Sequence, residues 1–214
     1  MPDSVHDGPH MNALIHRAVR RDLSGFAGAL DHFPAGDRDR AAALAARFGW
    51  LDVLLTHHHE SEEQILWPVL RTSPPDTAEV AELSGEHERI VAALAAARTT
   101  FQQFGASGTA EDAATARDAI HELREAADEH FGHEEAEIDQ LCRHADPAAL
   151  QAAYKKLGRY SGLKEGLWFM QWVSDGLPAD EKAFLHTLIP GPVHWMSRTI
   201  YGRGYASATA PLRG

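Results

Sequence analysis

The stretch LAARFGWLDVLLTHHHESEEQILWPV, residues 44–69, decides the fold. Leu44, Phe48, Leu51, Leu55, His58, Glu62, Ile65 and Val69 follow one another in alternating steps of four and three. That alternation traces one face of a helix that packs against other helices. The apolar face is broken at one level, where a histidine and, one turn on, a glutamate take the place of leucine or valine.

The same period runs on either side of this stretch. Upstream, His16, Val19, Leu23, Phe26, Leu30 and Phe33 keep it. Downstream it passes through Val80, Leu83, His87, Ile90, Leu94, Ala97, Phe101 and Phe104. A fourth segment gives Ala116, Ile120, Leu123, Ala127, His130, Glu134, Glu137 and Leu141. The breakers Pro34–Asp37, Thr72–Asp76 and Gly105–Thr109 separate the segments, and Asp146-Pro147 ends the last. Long Ala-, Leu-, Glu- and Arg-rich segments with short connections predict an all-α protein, an up-down-up-down antiparallel four-helix bundle over residues 10–145.

Residues 146–214 differ in kind. They carry Trp168, Phe169, Trp172, Phe184 and Trp195, and prolines 178, 190 and 192 cut them into short pieces. Two or three short helices are predicted, near 165–175, 180–188 and 192–201, with a loose end from Gly202. This extension is expected to cover a face of the bundle, with a partner surface or dimer contact as the alternative.

Composition narrows the function classes. The chain has 214 residues, 44% of them hydrophobic, so one bundle domain and an extension can bury a sizeable core. Lys and Arg number 20 against 31 Asp and Glu, a net charge of −11 without a basic cluster, which argues against nucleic acid and anionic membranes as partners. No run reaches the ~20 apolar residues of a membrane span. The polar start MPDSVHDGPH has no signal-peptide core, so a cytoplasmic setting is expected. Cys142 stands alone and excludes both an internal disulfide and a Cys-rich zinc site. The 14 histidines are the departure from an ordinary composition.

Four of them should meet. In antiparallel neighbours, residues equally far from the connecting turn lie at equal depth. Positions 16 and 58 are centred on 37, positions 58 and 87 on 72.5, and positions 87 and 130 on 108.5, each inside a predicted turn. His16, His58, His87 and His130 are therefore expected at one level, with Glu62 and Glu134 one turn from His58 and His130. Buried carboxylates without a Lys or Arg cost several kcal/mol per charge. A metal centre resolves that cost, and mixed imidazole and carboxylate donors in a bundle suit two iron or manganese ions bridged by the glutamates.

Neighbouring groups compete for these roles. His57, His58 and His59 are consecutive, and only one can occupy the seam; His58 fits, with His59 and Glu63 as an alternative pair. His133 and Glu137 form a rival pair to His130 and Glu134, and Glu137 also lies on the seam. His59, His133 and Glu137 are thus candidate auxiliary groups. His6, His10, His32, His121, His144, His186 and His194 are read as uninvolved. Arg17, Arg20 and Arg21 are read as a solvated face, Trp67-Pro68 as packing and a kink, and Cys142 as a filler.

The order His16, His58-x-x-x-Glu62, His87, His130-x-x-x-Glu134 resembles the signature of the hemerythrin-like (HHE cation-binding) domain family. The strings IHRAVRRDL, HHHESEEQILWP and HFGHEEAEI are similar to its ligand helices. The resemblance covers residues 10–145 and implies a non-haem di-iron centre, oxo- or hydroxo-bridged, that handles O2 or related oxidants. Oxygen-carrying members have a fifth histidine one turn after the helix-three ligand, where this chain has Val91, and close helix four with an aspartate spaced by five. The resemblance therefore points to the bacterial branch, with one iron lacking a ligand or taking it from His59, His133 or Glu137.

Two six-coordinate irons offer about twelve positions. Four imidazoles and two bridging carboxylates fill about eight and a shared oxygen bridge about two, which leaves about two for a small ligand. The expected partners are O2, H2O2 or NO, with iron as the metal and manganese or zinc as alternatives. Redox turnover of these oxidants is the first reading; a reversible gas or iron sensor or storage protein without turnover is the second. The chain is expected to be a monomer, or a dimer through the extension.

Overall fold

The computed structural model describes residues 11–72, 77–157, 163–188 and 191–213. Ser73–Asp76 of the second breaker, His6, His10 and Pro190 lie outside them. Every regular element among the described residues is helical. The long helices are α1 (Met11–Asp31), α2 (Arg38–Ser61), α4 (Thr77–Ser107) and α5 (Ala110–His144). A π-helical turn, Glu62–Leu66, joins α2 directly to the one-turn α3 (Trp67–Leu70). α4 packs along both α2 and α5, and α1 packs along α5 and α2.

Local chemistry sets the helix ends. The Asp37 side chain accepts from the Arg40 backbone N–H at 3.0 Å and opens α2; Thr109 accepts from Asp112 N–H at 3.1 Å and opens α5. Gly36 and Gly108 adopt φ of 91° and 62°, conformations that L side chains resist. Gly36 N–H donates to Gly108 O at 2.8 Å, so the α1–α2 and α4–α5 turns are fastened together at one end of the molecule.

The apolar seams meet as their period requires. All eight seam positions of α4, Val80 to Phe104, are buried. At the fastened end, Phe48 stacks on Phe101 with ring centroids 4.2 Å apart, and Phe26 sets its edge against both. Beyond the histidine level, Leu66, Trp67, Leu70, Val80, Leu83, Leu141 and Ala145 form a second apolar layer. The polar level is thus closed above and below.

One seam slips. Val69 is only partly buried, and Leu70 takes its place inside. Pro68 has no N–H to donate and its ring crowds the carbonyl four residues back. The chain answers with a π-turn in which Trp67 N–H reaches Glu62 O, adding one residue and rotating the helix beyond it. The kink expected at Trp67-Pro68 is there, in this form.

The extension is more ordered than its sequence indicates. It consists of α6 (Pro147–Leu157), α7 (Leu163–Ser174), α8 (Ala179–Leu188), α9 (Gly191–Met196), a π-turn (Ser197–Tyr201), α10 (Gly202–Thr209) and a 3-10 turn (Ala210–Leu212). The helix α6 was not expected, and the loose end from Gly202 is corrected. Tyr205 Oη donates to Asp175 at 2.8 Å and Arg213 to the same carboxylate at 2.6 Å, while Leu212 seats against Gly25 of α1. Trp172, Met170, Val173, Leu185 and Tyr205 belong to the same apolar core as the long helices. A buried polar knot adds to this: Asp22 of α1 accepts from Arg47 of α2, Arg21 and the Trp172 indole. No helix among the described residues is long and apolar enough to cross a membrane.

Candidate metal centre

The six seam residues converge. His16 comes from α1, His58 from α2, Glu62 from the first residue of the π-turn, His87 from α4, and His130 and Glu134 from α5; all are buried. His58 Nε2 lies 3.3 Å from His16 Nε2, and His87 Nε2 lies 3.0 Å from His130 Nε2. Glu62 points one oxygen at His58 (3.5 Å) and the other at His87 (3.6 Å). Glu134 Oε2 stands 3.3 Å from His16 Nε2 and 3.6 Å from His130 Nε2. The single level expected from turn midpoints is therefore seen in the distances.

Carboxylates outside this ring hold three of the imidazoles from behind. His16 Nδ1 lies 3.0 Å from Glu135, His87 Nδ1 3.1 Å from Glu63, and His130 Nδ1 3.0 Å from Glu86. A carboxylate accepts, so each Nδ1 carries the hydrogen, and the neutral rings of His87 and His130 each turn an Nε2 lone pair inward, while His16 Nε2 also faces a carboxylate, that of Glu134. For His87 and His130 this aims two lone pairs at each other across 3.0 Å, an arrangement that calls for a cation between them. Asn12 Nδ2 donates to Glu134 Oε1 at 2.7 Å, and Arg20 braces Glu135 at 2.7 Å. Arg20 is thus not a bare solvated group; Arg17 and Arg21 also hold partners, Glu181 and Asp22.

Electrostatics fit the same picture. Burial, and then the charge of Glu134, push the Glu62 carboxyl well above its ordinary range. Burial opposes ionisation of Glu134 too, but His16, with His58 and His130 behind it, pulls its carboxyl down to about 2. Burial and the neighbouring rings hold His58 and His59 far below the usual imidazole range, and His87 falls to about 4. Burial also lowers His130, against the pull of Glu134 and Glu86. For His16 burial loses to Glu134 and Glu135, and its affinity for a proton rises. His58, His59, His87 and His130, held neutral, and two acidic side chains in a closed layer form a donor set for a divalent cation, which would displace the extra proton that His16 favours.

The auxiliary candidates separate. His59 lies in the buried layer, and it, Glu62, His87 and His130 each offer a donor atom within 4.8 Å of the others. His133 lies outside, its side chain 26% exposed, with its two ring nitrogens at Glu86 and Glu79. Glu137 is half-buried and joins neither group. Glu63 serves His87, so the alternative pairing of His59 with Glu63 does not form. Glu86, Glu135 and Asn12 are site residues that sequence reasoning passed over, and Glu63, considered only as a partner of His59, is a fourth whose role it missed. The available signal was adjacency: three of them neighbour Glu62, His87 or Glu134 in the chain.

No curated protein and no solved structure gives a match to this chain. A family model does, that of the hemerythrin HHE cation-binding domain, over residues 13–142. With the His/Glu layer fitting a metal site and the match covering more than half its length, the chain belongs to the hemerythrin HHE cation-binding family.

Proposed function

We propose that His16, His58, Glu62, His87, His130 and Glu134 hold two iron ions, with the glutamates between them. The supporting geometry is the pair of facing imidazole nitrogens, His87 and His130, whose other nitrogens are both committed to carboxylates. The four long helices are taken as an up-down-up-down bundle, which the fastened Gly36 and Gly108 turns support; assignment to the bacterial branch rests on Val91, which stands where oxygen carriers have a fifth histidine. A cytoplasmic setting belongs to the same proposal and suits a chain with one cysteine.

Held by these residues, a ferrous pair would supply the two electrons that O2, peroxide or NO can take up, and reaction with such small oxidants is the function favoured here. The protein's own groups prepare for it. Glu63, Glu86 and Glu135 fix ring orientation and make each Nε2 a stronger donor. Asn12 holds one oxygen of Glu134 and leaves the other for the centre. The Phe131 ring, stacked 3.9 Å over His16, and Trp67 beside His87 exclude water from two sides.

A second reading, reversible gas binding or iron sensing without turnover, is favoured by enclosure. The centre lies between two apolar layers, and a cleft of about 300 Å3 lined by Ala13, Leu14, Arg17, Arg20, Glu135 and Glu181 reaches only the carboxylate behind His16. Metal analysis of anaerobically purified protein, followed by optical spectra on adding O2 and then peroxide, tests both. Two irons per chain and spectral change with peroxide consumed over many cycles support turnover; a change that reverses on removing O2 supports the second reading. Zinc alone with no spectral change overturns both.

A further inference from the structure

His59 is the residue at the centre that the six-ligand scheme does not use. It is 3% exposed, and neither ring nitrogen has a hydrogen-bond partner. Burying a polar group without a partner costs about 1–3 kcal/mol. A packing role would be served better by leucine or phenylalanine, since its surroundings are rings: His87 at 4.3 Å, His58 at 5.2 Å and His130 at 5.3 Å between centroids.

Distance gives the ring another use. A cation bound at ~2.1 Å spreads its donors at most about 4.2 Å apart. His59, Glu62, His87 and His130 each present an atom within 4.8 Å of the rest, a few tenths of an ångström from that limit. The position one turn after His87 cannot compete, because Val91 is 55% exposed and Ile90 takes the inward place. A histidine at 91 would face solvent on this backbone.

We propose that His59 is a fifth histidine ligand, binding the cation position it shares with Glu62, His87 and His130. The inference rests on the two-cation reading and makes the two positions unequal. One is served by His59, His87 and His130, the other by His16 and His58. Open coordination then belongs to the second position, on the α1 side, where Asn12, Glu135 and the cleft lie. The adjacent histidines of the 57–59 run divide the labour: His58 serves one cation and His59 the other.

The test uses the full chain, stripped of metal and titrated with Co(II) in the wild type, His59→Ala and His59→Phe. The phenylalanine variant keeps the stack on His87 without a donor. The wild type should bind two Co(II) ions and show five paramagnetically shifted, exchangeable imidazole N–H resonances. In both variants one ion should bind at least about tenfold more weakly, the other unchanged. Thermal melting of metal-free His59→Phe should match or exceed the wild type, which a purely structural histidine would not allow. Four shifted resonances in the wild type, or variants that bind both ions with wild-type affinity and spectra, overturn the inference. A wild type that takes up fewer than two ions overturns the two-cation reading itself, before His59 is at issue.

Discussion

Replacing Asp22 by asparagine should cost more than any other single-charge change outside the metal layer. Asp22 is 2% exposed and accepts from Arg47, from Arg21 at 2.9 Å and from the Trp172 indole at 2.9 Å. Arg47 is as deeply buried; its guanidinium lies over the Trp50 ring, its Nε and Nη1 have no hydrogen-bond partner, and only Nη2 meets a carboxylate, that of Asp22. Burial already disfavours its charge, and Asp22 is the first group that opposes this. Removing one member of a buried pair leaves an uncompensated charge, which costs about 3–5 kcal/mol. For a chain of this length each kcal/mol moves Tm by about 2–4 °C, so Asp22→Asn should lower it by roughly 6–20 °C. The companion Arg47→Met removes the stranded guanidinium. Replacing both members of a buried pair is often neutral, so the double variant should regain at least about 2 kcal/mol over Asp22→Asn. Urea denaturation of metal-free protein, followed by far-UV circular dichroism, measures all three. A loss below about 1 kcal/mol for Asp22→Asn, or strict additivity in the double variant, would refute the buried-pair account.

Other perturbations separate the layers. Glu86→Gln removes the carboxylate behind His130 and His133, and metal affinity measured by competition with a chelator should fall about 10–100-fold. Phe101→Ala, at the opposite end, should cost about 3–5 kcal/mol in urea while metal stoichiometry stays the same. Acid should destabilise the metal-free protein early. His58, His59, His87 and His130 have folded values below the ~6.5 of the unfolded chain, so the unfolded state binds more protons and stability falls as pH drops from about 6.5 towards the value near 4 of His87. His16, His133 and Glu62 are raised and run the other way, but the lowered imidazoles, which also include His57 and His194, are more numerous; a metal-free protein more stable at pH 5 than at pH 7 in denaturant titrations would contradict this sign.

The helix faces and the level of the site were readable because both are periodic. Steps of three and four fix which residues turn inward, and turn midpoints fix depth. Such periodicity is silent about groups that act from outside the seam. Glu63, Glu86 and Glu135 sit on flanking positions, where an acidic residue is ordinary, and only their Nδ1 contacts reveal a role. The shift from Val69 to Leu70 was hidden because Pro68 marks a kink but not its form, and a π-turn re-phases the face by one residue. The run from Gly202 to Arg213 has small and polar residues with little apolar rhythm; its order comes from Asp175, which collects Tyr205 and Arg213 from a distance no local pattern encodes. His59 was a candidate among three, and what separates it from His133 is burial, a tertiary property.

The aromatic cluster and the paired glycine turns occupy one pole of the molecule, and nothing in that pole depends on a bound ion. Assembly of the polypeptide can therefore finish before its cargo arrives. A chain stripped of metal is expected to stay folded at this end, so that supply of the ion, and not refolding of the polypeptide, completes the site.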